Sequence, residues 1–271
     1  MMLVNGMRAE VIPATDRGLA YGDGVFRTLR AQNGVPMHWA RHYAKLANDC
    51  AALHIPPPYE ALLLAEARAV ALPYPHAAVK IIITRGNGPR GYALPELIMP
   101  SRVVMSTPLC LPLHAGDGIT AYLCQLRLAR QPALAGVKHL NRLENVLARA
   151  EWSDTAIAEG LLLDQEGLAI GGTMCNLFIV EQNVLATPLL THCGVAGVTR
   201  ARIFDIAAKA SISCREEHLP LQRLLNADEV FFVNSLIGLW PVAKLNTRRW
   251  CVRPMAKDIL GLLEAEDATL V

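Results

Sequence analysis

The chain has 271 residues, of which 52% are apolar, and a net charge of +2. This length and apolar content exclude a disordered protein and suffice for one large domain or two smaller ones. Its basic residues form no run that would follow a nucleic-acid backbone, and no apolar stretch approaches the roughly 20 residues of a membrane span. The start of the chain does not resemble a signal peptide. We therefore expect a cytoplasmic protein that binds neither nucleic acid nor membranes.

The seven cysteines are scattered and include no CxxC pair. Neither a disulfide framework nor a metal site is expected from this spacing.

The first predicted strand, Val25 to Leu29, follows the glycine-rich segment DRGLAYGDG. Strand alternation puts Arg27 with Val25 and Leu29 on one face, and Phe26 with Thr28 on the other. One of these faces could line a pocket, although an outward-facing Arg27 is an equally good interpretation.

Helical spacing of apolar residues predicts a helix over 38–53, and a second helix is predicted over 59–71, after three prolines. Runs of β-branched residues predict strands over 79–85 and 101–107. The prolines and glycines of CLPLHAGDG favour a linker. The predicted division is an N-terminal domain over 1–110, a linker over 111–118 and a C-terminal domain over 119–271.

Lys138 is one of six lysines and lies between a small apolar stretch and an amphipathic helix, in LAGVKHLNRLENVLARAEW. Apolar neighbours disfavour the ammonium form and leave a neutral amine, which can condense with a carbonyl group or accept a proton. Taken alone, this lysine fits a solvated side chain on a helix flank better, since most lysines only face water.

Two glycine-bearing segments suggest anion binding. In CGVAGVTRARIFDIAAKA, residues Gly197, Val198 and Thr199 begin a predicted helix whose free N–H groups attract a phosphate. In RGNGPRGY, Arg90 lies beside Tyr92 on a loop that suits a carboxylate. An ordinary capped loop and a solvated hairpin tip are the alternatives. Neither segment has the strand and helix context of a dinucleotide or Walker site.

A reactive lysine, a phosphate-binding helix end and basic groups for an anionic small molecule together fit pyridoxal 5'-phosphate. At this point the ordered segments DRGLAYGDGVF, HYAKL, RGNGPRGY, GVKHLNRLE, GTMCNLF, GVAGVTR and DEVFFVNSLIGLWPV can be compared with known families. They resemble the fold-type IV pyridoxal-phosphate enzymes, which include branched-chain and D-amino-acid aminotransferases. The resemblance runs from about residue 3 to about residue 245.

The resemblance implies a two-domain fold, with a smaller N-terminal α/β domain and a larger C-terminal domain that is mixed, barrel-like and carries helices. It implies that Lys138 forms the Schiff base with the cofactor. It also assigns the phosphate to Gly197, Val198 and Thr199, to a second loop with Asn234 and Ser235, and to Lys45, where the family usually has arginine. The strand along the pyridine ring is matched by Thr173, Met174, Cys175 and Asn176, for which ordinary core packing is an equal alternative.

Two positions depart from the family. Relatives often have a glutamate beside the pyridine nitrogen, where this chain has Gly171, so we expect a weaker electron sink. Many of the aminotransferases have a glutamate where this chain has Arg27, which suits a substrate with more than one carboxylate.

The segments are most similar to lyases that convert 4-amino-4-deoxychorismate to 4-aminobenzoate and pyruvate, a reaction of folate biosynthesis. In this hypothesis Lys138 is also the general base, Thr28 supplies a proton, and Arg27, Arg90 and Tyr92 bind substrate carboxylates. The family further implies a homodimer. The alternatives are an aminotransferase of D- or branched-chain amino acids, and a binding protein without catalysis on the same fold.

Overall fold

The structure is a computed structural model that describes residues 1–110, 116–251 and 254–270. The chain divides into two compact units. Of the described residues, unit 1 contains 1–110, 137–141 and 270, and unit 2 contains 116–136, 142–251 and 254–269. The segment around Lys138 therefore groups with unit 1, whereas the sequence analysis assigned it to the C-terminal domain. Residues 111–115 of the expected linker lie outside the described residues, and the domain boundary stays a prediction.

Unit 1 is built on a six-stranded antiparallel sheet. In spatial order its strands are β2 (Met7–Arg8), β1 (Met2–Val4), β6 (Ser101–Pro108), β5 (His76–Thr84), β3 (Gly24–Gln32) and β4 (Val35–Pro36). Its helices are α1 (Arg17–Tyr21), α2 (Trp39–Ala52) and α3 (Glu60–Ala71).

The core of unit 1 lies between one face of this sheet and helices α2 and α3. Leu29 of β3 and Ile81 of β5 are buried there with Leu46 of α2 and Leu63 of α3. β-Branched residues are well suited to such a pleated, buried surface, and β5 reads HAAVKIIIT. The alternation expected for β3 is present, because Val25, Arg27 and Leu29 are buried while the residues between them are partly exposed.

The predicted elements of unit 1 are all present, with small differences at their ends. The helices expected over 38–53 and 59–71 correspond to α2 and α3, and the strands expected over 79–85 and 101–107 correspond to β5 and β6. The strand expected from Val25 to Leu29 is longer at both ends, as β3.

The segment Val137–Asn141 lies along β3 where that strand begins. The N–H of Phe26 donates to the carbonyl of Lys138 at 3.0 Å, and the N–H of Leu140 donates to the carbonyl of Gly24 at 2.9 Å. These two bonds give the segment the pairing of a short antiparallel strand, with His139 opposite Val25.

Unit 2 is built on a nine-stranded mixed sheet. Eight strands follow in the spatial order β12 (Cys214–Glu217), β11 (Val184–Pro188), β10 (Asn176–Glu181), β13 (Glu229–Asn234), β14 (Gly238–Leu245), β7 (Ile119–Leu128), β8 (Ile157–Asp164) and β9 (Ala169–Gly172), and β15 (Arg248–Arg249) pairs with β14. The helices are α4 (Leu143–Arg149), α5 (Val198–Lys209), α6 (Leu221–Asn226) and α7 (Pro254–Ala268), and residues Pro132–Leu134 form one 3₁₀ turn.

One core cluster of unit 2 packs α5 and α7 against β10 and β13. Phe178 and Phe231 from the two strands stack with ring centroids 5.3 Å apart, and both side chains are fully buried. Ile203 of α5 and Ile259 of α7 belong to the same cluster. In the described ranges, none of the helices has the length and apolar character required to cross a membrane.

Asp23, in the turn between α1 and β3, joins two arginines of unit 1. Its carboxylate accepts hydrogen bonds from Arg17 Nε at 2.9 Å and from Arg85 Nε at 2.8 Å. Arg85 also donates to the carbonyls of Leu53 and His54, which fixes the loop after α2. Burial alone would raise the pKa of Asp23, but the hydrogen bonds and charges of Arg85 and Arg17 outweigh it and lower that pKa.

Replacing Asp23 by asparagine should lower the free energy of unfolding by about 2 kcal/mol at neutral pH, because it removes charge-assisted hydrogen bonds from two buried arginines. A carboxyl with a lowered pKa contributes stability above its unfolded pKa and loses it on protonation. The difference between the wild type and Asp23→Asn in urea unfolding should therefore shrink as the pH falls below about 4. The exposed carboxylate of Glu10, changed to glutamine, is the control. A difference that does not change with pH would contradict this account.

Candidate functional site

Lys138, the lysine that the sequence singles out, extends its side chain over the Phe26 ring on the partly open face of β3. The Nζ atom of Lys138 lies 4.5 Å from the centroid of the Phe26 ring. Thr28 belongs to the same face of β3, two residues further along. Lys80, which is paired with Thr28 across the sheet, places its Nζ atom 5.4 Å from the same ring. The structure thus brings together Lys138, Phe26 and Thr28, and it adds Lys80.

Lys80 was not identified from the sequence, although a signal existed. The predicted strand over 79–85 alternates, and a lysine opposite in orientation to Val79 and Ile81 should point away from the core. This signal is weak, because a single lysine on the polar side of a strand is usually only solvated.

Arg27 lies on the buried face of β3 and not on the open face with Lys138 Nζ. Its side chain is 3% exposed, and its guanidinium forms an ion pair with the carboxylate of Asp49 in α2. The same guanidinium donates to the carbonyl of Lys45 at 3.3 Å. The structure therefore places Arg27 with Asp49 in the interior of unit 1, and its role in substrate binding stays a prediction.

Lys45 and Asp49 are four residues apart on α2, and their side chains form an ion pair. Burial, together with the charges of Arg27 and Lys138, lowers the pKa of Lys45 to about 7. Burial also lowers the pKa of Arg27, to about 10. Three cationic side chains of unit 1, those of Arg27, Lys45 and Lys138, thus lie close enough to influence one another.

Arg90 and Tyr92 lie on an exposed loop of unit 1. The Tyr92 ring packs edge-on against Tyr21, with centroids 5.4 Å apart, and the loop is held by Arg17, which donates to the carbonyl of Gly91 at 2.9 Å. Among the described residues, Arg90 has no hydrogen bond or ion pair, so its guanidinium stays available to an anion.

In unit 2, helix α5 begins at Val198 with Gly197 as its N-cap, and no side chain caps its N-terminus. The hydroxyls of Thr199 and Ser235 lie 3.4 Å apart beside this helix end. Free N–H groups, the positive end of a 12-residue helix and two hydroxyl donors match what a phosphate requires.

The side chains of Asn176 and Asn234, by contrast, form hydrogen bonds with main-chain groups of unit 2. Asn176 donates to the carbonyl of Val195 at 2.7 Å and accepts from the N–H of Gly197 at 3.2 Å, which shapes the turn before α5. Asn234 accepts from the N–H groups of Leu236 and Ile237 and donates to the sulfur of Cys175 at 3.2 Å. These two residues therefore position the loops near Thr199 and Ser235.

The turn from Gly171 to Cys175 is held by Glu159, a fully buried carboxylate of β8 that sequence reasoning missed. Glu159 accepts from the N–H of Thr173 at 2.9 Å, from the Thr173 hydroxyl and from the N–H of Met174 at 3.3 Å. Met174 is itself half-exposed, and Cys175 is buried. A Cβ atom added to Gly171 would lie 2.8 Å from the carbonyl oxygen of Cys175, so this position has no room for a side chain.

These features define a protein of the class IV aminotransferase type. The family model of class IV aminotransferases matches residues 24–245, and the chain belongs to this family. Among its relatives, the aminodeoxychorismate lyase of Vibrio harveyi is 36% identical over 91% of this chain and 92% of its own length. The D-alanine aminotransferase of Bacillus licheniformis is 26% identical over 90% of this chain and 88% of its own length.

A solved structure extends this similarity. The crystal structure of 4-amino-4-deoxychorismate lyase from Pseudomonas aeruginosa superposes with a TM-score of 0.93 and 40% identity, and 98% of each chain is covered. The fold-type IV architecture expected from the sequence is confirmed.

The family depends on pyridoxal phosphate, and the residues of this chain fit that group. Unit 2 has an uncapped helix end with two neighbouring hydroxyls for a phosphate. Unit 1 has a lysine whose main chain is fixed by β3 and whose amine lies over an aromatic ring.

Replacing Gly171 by the glutamate that relatives often have should destabilise the protein. We do not expect it to restore the contact with the pyridine nitrogen. Its Cβ atom must displace the Cys175 carbonyl, and overpacking of this kind costs about 1–3 kcal/mol. Gly171→Ala and Gly171→Glu should therefore both lower the melting temperature. Gly261→Ala, in α7 with open space around it, is the matched control and should raise it slightly. A Gly171→Glu variant as stable as the wild type would show that the turn can adapt.

Proposed function

We propose that this protein is a pyridoxal-phosphate-dependent lyase that cleaves 4-amino-4-deoxychorismate to 4-aminobenzoate and pyruvate, a step of folate biosynthesis. The observation that carries the proposal is the similarity to lyases of this specificity along nearly the whole chain, at 36% and 40% identity. A cytoplasmic location is part of the proposal.

The proposed roles follow the grouping of the side chains within each unit. In unit 2, Gly197, Val198, Thr199 and Ser235 hold the cofactor phosphate, and Asn176 and Asn234 support these loops. The turn from Gly171 to Cys175 is proposed to lie along the cofactor ring. In unit 1, Lys138 binds the cofactor covalently, Lys45 adds a positive charge for the phosphate, and Arg90 and Tyr92 bind a substrate carboxylate.

When bound, pyridoxal phosphate supplies an aldehyde that joins an amine and a ring that withdraws electrons from the carbon bearing that amine. With the substrate amine held by the cofactor, Lys138 would be the base that removes the proton from the carbon bearing that amine. Thr28, on the same face of β3 as Phe26, is proposed to deliver a proton to the enolpyruvyl methylene. The carbon–oxygen bond to the ring then breaks, pyruvate leaves, and the ring becomes aromatic.

The Gly171 position favours a lyase over an aminotransferase. Without a carboxylate at this position the positive charge on the pyridine nitrogen is less favoured, and the cofactor stabilises negative charge less well. An aminotransferase depends on that stabilisation throughout its cycle. A lyase whose product becomes aromatic gains driving force from the product itself.

The purified protein should release pyruvate from 4-amino-4-deoxychorismate without any keto-acid acceptor. Lys138→Ala should lose this activity by about a thousandfold or more, because both covalent attachment and the general base are removed. Lys209→Ala, an exposed lysine of α5, is the control and should keep it. Borohydride reduction of the cofactor-loaded protein followed by peptide mapping should label Lys138.

Three outcomes would contradict this proposal. Strict dependence on a keto acid would indicate the aminotransferase, absence of visible absorbance after cofactor is added would indicate a binding protein, and a label on another lysine would overturn the site.

We also propose a homodimer, which the family similarity supports and for which α4 of unit 2 offers a surface. Leu143, Val146 and Leu147 form a stripe at helical spacing and are 75%, 60% and 60% exposed. Apolar residues clustered on one helix face in this way mark an interaction surface. A second copy of the chain is the proposed occupant.

Leu147→Lys should convert the dimer to a monomer in sedimentation velocity, because it places a charge in the centre of the proposed apolar contact. Leu262→Lys, on the partly exposed side of α7, is the control and should leave the sedimentation coefficient unchanged. If the wild type itself sediments as a monomer at micromolar concentration, or if Leu147→Lys stays dimeric, α4 does not form the interface.

A further inference from the structure

Asp49, a residue of α2 that the sequence analysis did not single out, contacts three of the groups already described in unit 1. Its side chain is 2% exposed. One carboxylate oxygen accepts from the main-chain N–H of Lys138 at 3.1 Å, and the carboxylate forms ion pairs with Arg27 and Lys45. No other carboxylate of unit 1 among the described residues bonds the main chain of Lys138.

This contact means that the main chain of Lys138 is held from two sides. On the side of β3, its carbonyl accepts from the N–H of Phe26 at 3.0 Å. Its own N–H donates to the carboxylate of Asp49 on α2 at 3.1 Å. With both main-chain groups engaged, the position of the side chain over the Phe26 ring is set by two independent elements, the sheet and the helix.

The charge of Asp49 is as important as its geometry. Arg27 on β3 and Lys45 on α2 both pair with this carboxylate, and Lys80 on β5 faces the Phe26 ring together with Lys138. His139 follows Lys138 in the chain, Cys50 of α2 is close enough to Arg27 for each to affect the pKa of the other, and His42 is buried on the same helix. Asp49 is thus a buried carboxylate that pairs with two basic side chains and bonds the Lys138 main chain, and a buried charge of this kind acts strongly on its neighbours.

We propose that Asp49 is a positioning residue for Lys138: it fixes the Lys138 main chain from the helix side and balances the charges of Arg27 and Lys45 beside the reactive amine. This proposal rests on the proposed role of Lys138 as the cofactor-binding lysine. In this proposal Arg27 of β3 is also a positioning residue, because it pairs with Asp49.

Asp49→Asn tests the charge while it keeps an oxygen that can accept from the Lys138 N–H. Removing the negative charge leaves Arg27 and Lys45 uncompensated, which disfavours a further positive charge at Lys138. In the cofactor-loaded protein, the pH at which the visible absorbance changes should therefore fall by about one unit. Cofactor loading itself should remain measurable by the absorbance.

Removing the arginine provides the complementary test. Arg27→Gln takes away a positive charge, and the same transition should move to higher pH. The double variant Arg27→Gln with Asp49→Asn removes one charge of each sign and should return the transition towards the wild-type value. If these residues had only a structural role, the two single variants would not shift the pH of the transition in opposite directions, and the double variant would not restore it. This pattern would therefore show that the two residues act through their charges.

Glu66→Gln is the matched control. Glu66 is a buried carboxylate of α3 in the same unit and pairs with Arg102 at 2.8 Å, so its loss costs stability without changing charge beside Lys138. The proposal is overturned if Asp49→Asn and Arg27→Gln both titrate like the wild type, or if Glu66→Gln shifts the transition equally. If Asp49→Asn does not fold, the Arg27→Gln variant alone tests the proposal, and an unchanged pH of its absorbance transition would overturn it. Failure of the proposed function is seen separately, as absence of a Lys138 label in the wild type.

Discussion

The pairing of Val137–Asn141 with the start of β3 is the interaction on which the candidate site depends. The chain belongs to unit 2 on both sides of this segment and joins unit 1 for only five residues. The two glycines at the start of β3 make that approach possible. At Gly24, a Cβ atom would lie 2.4 Å from the carbonyl of Ile83 and 2.8 Å from Leu140, and at Gly22, with φ of 65°, it would lie 2.5 Å from the Asn141 amide. The motif GDG and the lysine segment therefore depend on each other, although more than 100 residues separate them in the sequence.

Much of unit 1 could be predicted because its signals are local. The helices α2 and α3 and the strands β3, β5 and β6 follow from apolar periodicity and β-branched runs, and the inward side of β3 follows from strand alternation. Strand alternation does not predict which side chain will pair with an arginine that points into the core. Arg27 is paired with Asp49, and the spacing of Lys45 and Asp49 on α2 resembles any solvated pair on a helix. Burial of that pair is a property of the packed unit, so the sequence carries no sign of it.

In unit 2, too, the proposed phosphate-binding start of α5 could be predicted from the sequence, whereas the side chains that support the loops around it could not. A glycine before a helix and a threonine in its first turn can be recognised from order alone, and Gly197, Val198 and Thr199 do begin α5. The roles of Asn176 and Asn234 could not be read in this manner. An asparagine in a strand motif fits a ligand contact as well as a loop support, and only its partners, main-chain groups many residues away, decide between them.

Glu159 raises the question of whether it replaces the acid that is absent at Gly171, because it is the buried carboxylate of the neighbouring strand β8. Its contacts argue against this. Both oxygens already accept hydrogen bonds, from the N–H groups of Gly160, Thr173 and Met174 and from the Thr173 hydroxyl. Gly172 makes room for it, since a Cβ atom there would lie 2.6 Å from the Glu159 carboxyl carbon. A carboxylate committed to four donors in this turn has little capacity left for a pyridine nitrogen. The acid of β8 therefore serves the conformation of the turn, and the weaker electron sink expected from Gly171 stays a prediction.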